Sequence, residues 1–202
     1  MELDHVVVAV ADLAAAADAL ARRHGLASVE GGRHPGWGTA NRIVPLGETY
    51  LELIAVVDAD EAAASDFGRW VASRSGEAMR LLGWAVRTDE LEDVAARLGL
   101  TIRPGSRATP DGSQLTWRSA GVERAAAEPS LPFFLEWRGG TYPGRSAAPA
   151  PASITRIVVR DNGDRLAAWL GEHTLPLAVE PGPPALANVV LAAPAGDIVL
   201  GG

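Results

Sequence analysis

Two residue types with distinctive chemistry are missing from this 202-residue chain: cysteine and lysine. Without cysteine there is no thiolate nucleophile, no disulfide and no sulfur ligand, so any metal has to be held by His, Asp or Glu. Because all 18 basic residues are arginine, Schiff-base chemistry and a phosphate-loop lysine are excluded as well. The arginines form no run and the formal charge is -7 with a pI near 5.1, which leaves no basic footprint for nucleic acid. No apolar stretch approaches the ~20 residues of a membrane span, and the chain opens on a strand pattern rather than a basic-then-apolar leader. These absences predict a soluble, cytoplasmic protein whose partner is a small molecule, with neither nucleic acid nor membrane involved.

What is present starts with the segment from Leu3 to Leu13, an apolar strand pattern carrying one imidazole, His5. Asp12 is a good helix N-cap, Leu13, Ala16, Ala17 and Leu20 follow at helical spacing, and Gly25 stops the helix. The Gly-rich run Gly31 to Gly38 is read as irregular and leads into two extended segments, residues 39–45 and 49–56. Residues 58–75 read as a surface helix with Phe67, Trp70 and Val71 as its apolar side.

The pattern then returns. Residues 81–87 read as a strand, Asp89 with Glu92 as a capping box, and Leu91, Val94, Ala95 and Leu98 as a helical stripe. Extended segments follow at 101–103, 114–118 and 131–137. The Ala/Pro run 147–152 reads as a linker. Beyond it, a strand at 154–160, a cap at Asn162 and a stripe of Leu166, Trp169 and Leu170 precede short strands at 177–179, 187–192 and 197–200.

The expected fold is therefore α+β, built from repeated βαβββ units. Residues 1–57 form the first, 58–79 a connector helix, 80–146 the second and 153–202 a third, degenerate unit. A sheet covered by a helix on one face must bury the other, so two units are expected to pair into a curved sheet around a cavity.

A duplicated strand-helix-three-strand unit with a histidine in its first strand and a glutamate in its last resembles the vicinal-oxygen-chelate superfamily. More narrowly, it resembles the glyoxalase-like domain group. The residues carrying the likeness are Leu3 to Val7, Gly32 to Thr39, Tyr50 to Ile54, Gly83 to Thr88 and Leu131 to Trp137. The resemblance implies a divalent metal held at four positions, on the first and last strands of two paired units. His5, Glu52 and Glu136 match three of these, and the remaining one falls on Gly83 beside Trp84, neither of which can ligate.

The expected site is accordingly a His5, Glu52 and Glu136 metal set for Zn, Fe, Mn, Ni or Mg, or a degenerate site with no cofactor at all. Glu136 is the expected base, as the resemblance implies, with Glu52 the other catalytic candidate. His34, Trp37, Asn41 and Trp84 are the expected substrate-binding residues, and His34 is placed to refill the position that Gly83 leaves. Against this stands a structural reading in which the buried carboxylates pair with arginines such as Arg118 or Arg138. His24 and His173 read as helix-end residues.

Two functions remain in view. The first is a metal-dependent lyase, isomerase or dioxygenase that polarises neighbouring substrate oxygens. The other is a metal-free small-molecule binding or drug-sequestering protein of the bleomycin-resistance type on the same scaffold, favoured by the tryptophans near Gly83. A homodimer fits either, since the paired units can come from one chain or two.

Overall fold

The computed structural model describes residues 1–76, 78–109, 112–139, 142–143 and 150–201. It begins with β1 (Glu2–Ala9), α1 (Leu13–His24), β2 (Val29–His34), β3 (Thr39–Leu46) and β4 (Thr49–Val56). Two short helices, α2 (Ala59–Ala64) and α3 (Asp66–Arg74), lead to β5 (Arg80–Arg87), α4 (Leu91–Leu98), β6 (Ile102–Ala108), β7 (Gln114–Ala120), α5 (Val122–Ala127) and β8 (Phe133–Arg138). The last group is β9 (Ser153–Arg160), α6 (Gly163–Leu170), β10 (Leu177–Glu180), β11 (Ala185–Ala193) and β12 (Gly196–Gly201). The fold is α+β, with βαβββ element order in the first and third stretches and, in the second, the same order with α5 set between its last two strands. Of the Ala/Pro run, residues 147–149 lie outside the described residues.

Eight strands form one sheet in the order β2-β3-β4-β1-β5-β8-β7-β6, and four form a second in the order β10-β9-β11-β12. At the centre of the large sheet β1 and β5 run antiparallel, while β1 pairs with β4 and β5 with β8 in parallel, so the two halves mirror one another. The sheet curves until its edges nearly meet. Arg107 Nη1 on β6 donates to Gly31 O on β2 at 2.8 Å. The glycines make this approach possible: a Cβ on Gly31 would strike the Asn41 side chain, and one on Gly32 the carbonyl of Ala108. The Gly-rich run is thus partly a strand, since β2 extends through His34 and only 35–38 form the turn.

The strand alternation sorts side chains onto two faces. Val6, Val8, Leu51, Leu53, Trp84 and Phe134 point outward, where Ala16, Ala17 and Leu20 of α1 and Leu91 and Val94 of α4 cover them. The four-stranded sheet and α6 join the same core through Ile157, Val159, Leu166, Trp169, Val189 and Leu191. Polar contacts reinforce that junction. Trp169 Nε1 donates to Pro132 O at 3.0 Å, Arg97 donates to the carbonyls of Ala168 and Trp169, and the Ser130 hydroxyl donates to Asp161.

Facing inward are Val7, Ala9, Ile54, Ala85, Phe133 and Leu135, and here the segment 58–75 departs from a single surface helix. Ser65 is extended and breaks it, its side chain capping α3 through Gly68 N. The apolar side of α3 then inserts into the sheet's inner face, burying Trp70 and Val71. Sequence reasoning also missed α5, which adds Ala125 to this inner core. The α4 cap differs too: the helix starts after Glu90, and Thr88 Oγ1 accepts from Glu90 N instead of an Asp89 capping box.

Gly83 is in direct contact with α3. A Cβ there would lie 2.7 Å from the ring of Trp70, which is itself wedged between Phe67 and Phe133. Gly83→Ala is therefore expected to destabilise the protein by about 1–3 kcal/mol through overpacking. Urea denaturation should show a lowered midpoint with an unchanged slope, and Gly83→Ala combined with Trp70→Leu should lose less than the sum of the two changes.

Candidate active site

His5 and Glu52 meet on the inner face. Glu52 lies two residues beyond Tyr50 on β4, and Tyr50 is the strand partner of His5 in the β1–β4 register. His5 stacks on the Tyr50 ring at a centroid distance of 4.6 Å and meets the edge of Phe133 at 5.7 Å. Its Nε2 is 3.3 Å from Glu52 Oε2, too poorly aligned for a hydrogen bond, and this nitrogen is left buried with no other partner among the described residues.

The other ring nitrogen is held by a residue that sequence alternation assigns to the opposite face. His5 Nδ1 donates to Asp4 Oδ1 at 2.6 Å, and Asp4 Oδ2 accepts from Trp137 Nε1 at 2.8 Å. A β-bulge brings Asp4 there. The β1–β5 register shifts between Leu3 and His5, so two successive residues stand against one partner and share a side. Asp4 is fully buried and fixes the orientation of the His5 ring.

Glu52 is also held from the first hairpin. Asn41 Nδ2 donates to Glu52 Oε1 at 2.6 Å, while Asn41 Oδ1 accepts from Gly32 N at 2.9 Å. The same amide nitrogen lies 3.3 Å from His34 Nε2, itself 3.8 Å from Glu52 Oε1. His34 Nδ1 faces Thr39 Oγ1 at 2.9 Å. With Asn41 as donor on one side, His34 is the Nδ1–H tautomer, and its Nε2 lone pair points toward the carboxylate. The turn between β2 and β3 is tied down by Glu61, which accepts from Gly36 N and Gly38 N.

Electrostatics separate the two imidazoles. Burial alone pushes the pKa of His5 down, but the Asp4 hydrogen bond and the negative charges of Asp4 and Glu52 outweigh it and raise the value to about 9. For Glu52, burial works upward and is overcome by His5, by the charge of His34 and by the Asn41 hydrogen bond, leaving about 2. In His34, burial dominates and lowers the pKa, with Glu52 opposing and Arg107 adding to the effect. At neutral pH the arrangement is imidazolium at His5, carboxylate at Glu52 and neutral imidazole at His34.

These residues line a cavity of about 50 Å³, measured as the space open to the centre of a water molecule. Trp37, Phe67, Trp117, Phe133 and Trp137 form its aromatic walls, and Tyr50, Arg107 and Ser119 add polar atoms. One water needs ~10–15 Å³ on that measure, so only a small ligand fits without movement. Of the expected binding residues, His34, Trp37 and Asn41 are brought to this cavity. Trp84 is not: it is fully buried on the outer face, with Nε1 donating to Ser130 O at 3.0 Å. Sequence reasoning also missed Asp4, Arg107 and Ser119.

Glu136 is likewise placed away from His5 and Glu52. It lies on the outer side of β8 with Phe134, paired to Arg118 Nε at 2.6 Å and to Arg138 at 2.9 Å, while Arg118 also reaches Glu92. The inner side of β8 shows why. In the β1–β5 register His5 pairs with Ala85 and Val7 with Gly83, which makes Gly83 the counterpart of His5 and Ala85 that of Val7. Since Val7 pairs with Glu52 and Ala85 with Phe133, the counterpart of Glu52 is Phe133. The second half thus offers a glycine filled by Trp70 on β5 and a phenylalanine on β8. The residues present do not fit the four-position metal site of the superfamily, and no three His, Asp or Glu side chains among the described residues are grouped to hold a metal. His24 is exposed in the last turn of α1, and His173 accepts from Leu175 N beyond α6.

Comparison with known proteins agrees with this architecture. The model of the glyoxalase-like domain family matches residues 3–175. No curated protein matches the chain in sequence. Among solved structures, a hypothetical protein from Staphylococcus aureus aligns with a TM-score of 0.61 at 16% identity, over 98% of this chain and 84% of that one. Methylmalonyl-CoA epimerase from Mycobacterium tuberculosis gives a TM-score of 0.46 at 20% identity, over 67% and 85% of the two chains. A variant of the Streptomyces coelicolor enzyme in complex with 2-nitronate-propionyl-CoA gives 0.47 at 18%, over 69% and 97%. At 16% identity the likeness to the Staphylococcus aureus protein is one of fold. The family model spans most of the chain, and the chain belongs to the glyoxalase-like domain family of the vicinal-oxygen-chelate superfamily.

Proposed function

We propose that the protein is a small-molecule enzyme that moves a proton on a carbon next to a carbonyl group, as an isomerase or lyase does, using its two buried histidines. The observation that supports this reading best is that one ionised Glu52 stands between two imidazoles whose surroundings drive them in opposite directions. Such a pair is suited to acid and base roles at one pH. His34 takes the proton at Nε2, the nitrogen that faces Asn41 and the Glu52 carboxylate, which would stabilise the resulting charge. His5 offers its unmatched Nε2–H to the oxygen on which negative charge develops, with Asp4 behind it holding the ring. Glu52 positions both rings, and its low pKa makes it a poor base itself. The carbonyl group would lie against the aromatic walls, which exclude water and strengthen these interactions.

The same walls favour a second reading, a metal-free binding protein for a flat ligand, because six aromatic side chains, Tyr50 included, surround so small a space. Exchange of substrate C–H for deuterium separates the two. A panel of small carbonyl compounds in D₂O, followed by proton NMR, should show enzyme-catalysed loss of signal next to the carbonyl. His34→Gln and His5→Gln should each lower that rate by about 10²–10⁴-fold. Ligand binding without exchange would leave only the binding reading.

The pH profile of the exchange follows from the direction of the shifts. The rate should be flat near neutrality, fall on the alkaline side as His5 loses its proton near 9, and fall on the acid side below 6.5 as His34 is protonated. Stability carries the His5 signature separately. Its folded-state pKa is raised, so its contribution is fully present below 6.5 and lost as the pH rises through about 9. The wild type should therefore exceed His5→Gln in thermal stability by more at pH 6 than at pH 10. Metal content offers a third check: protein purified without chelator should contain less than stoichiometric divalent metal, and added chelator should change neither exchange rate nor melting temperature.

A further inference from the structure

Arg107 lies at the closure of the large sheet with its side chain in the cavity, and it is only 5% exposed. Its hydrogen bond among the described residues runs from Nη1 to Gly31 O. No carboxylate among the described residues forms an ion pair with it. Glu52, the carboxylate that lines the same cavity, is already engaged by Asn41 and His5. Burial lowers the Arg107 pKa, with only Glu52 and Tyr50 acting in the other direction. A buried guanidinium without a contacting anion is costly in a protein interior, and its planar fork matches a carboxylate in a way no monopolar donor does. The Ser119 hydroxyl lines the same space and adds a donor.

We infer that Arg107 is an anion anchor, and that the substrate class of this cavity is a small monocarboxylate whose carbonyl-bearing carbon is presented to His5 and His34. This rests on the proton-transfer reading for the second half of the statement and on Arg107 alone for the first. Size supports a small acid over a larger phosphorylated molecule, since the cavity is about 50 Å³. Free phosphate also suits a guanidinium fork, and titration distinguishes it from a carboxylate.

The test uses pyruvate, the neutral 2,3-butanedione of similar shape, and inorganic phosphate, each titrated into the full chain. Tryptophan fluorescence is the readout, because Trp37, Trp117 and Trp137 line the cavity. Pyruvate should bind about 10–100-fold more tightly than 2,3-butanedione and than phosphate. Arg107→Gln should remove that advantage while leaving 2,3-butanedione affinity unchanged, and Arg107→Lys should retain part of it. Circular dichroism checks that each variant is folded; if Arg107→Gln is not, the Lys variant and the wild-type ligand comparison decide. Equal binding of pyruvate and the neutral compound, phosphate as tight as pyruvate, or no binding of pyruvate would each overturn the inference. Arg107-dependent pyruvate binding with no deuterium exchange would sink the proton-transfer reading and leave the anion anchor standing. Exchange of 2,3-butanedione as readily as pyruvate would do the reverse.

Discussion

A carboxylate on the inner face of a closed sheet has to be matched, and the matching of Glu52 organises this molecule. Its two oxygens take Asn41 from β3 and face His5 from β1, so a single side chain ties the first hairpin to the centre of the sheet. Each neighbour is fixed in turn. Asn41 accepts from Gly32, which draws β2 inward, and Gly32 is the residue that lets β2 come up to β6, while Gly31 makes room for the Asn41 side chain. Sheet closure, site polarity and the ionisation of both buried histidines are thus linked through one group.

Much of this was legible in the sequence because the strand period is two. Tyr50, Glu52 and Ile54 share a face in the written sequence and in the structure, and His5 follows from the same pattern. The same rule, applied strictly, puts Glu136 with Phe134 on the outer face, and the family likeness drew it inward against that rule. The rule also separates Gly83 from Trp84, which explains why Trp84 is core while Trp70 reaches the inside. Asp4 was hidden for a different reason: a bulge breaks alternation, and nothing in Leu3-Asp4-His5 marks one. Arg107 and Ser119 were hidden because β6, with Pro104 and Gly105, carries no periodic signal, and because their partners are far away in the chain.

The two halves of the large sheet have mirrored pairing and contrasting chemistry. Where the first half presents His5 and Glu52, the second presents Gly83, which admits the Trp70 ring, and Phe133. Shared backbone pairing therefore does not carry shared ligation. A sequence comparison that counts histidines and glutamates along strands cannot see this, since one residue of offset on β8 moves a carboxylate from cavity to surface salt bridge.

The insertion of α3 supplies the physical condition under which so small a polar site can act. Trp70 and Val71 fill the inner face beside Val7 and Phe133, and Phe67 closes on Trp37 at 4.9 Å, so little of the cavity is left for bulk water. In that environment each charge interaction is stronger than it would be in a wide solvated bowl. The opposite displacement of the two histidine pKa values depends on it, because burial lowers His34 while the same burial forces His5 and Glu52 to remain a pair. A side chain that opened α3, such as Trp70→Ala, would hydrate Glu52 and bring both imidazoles back toward 6.5. The connector between the two halves is in this sense part of the site's electrostatics, although none of its described residues carries a charge into the cavity.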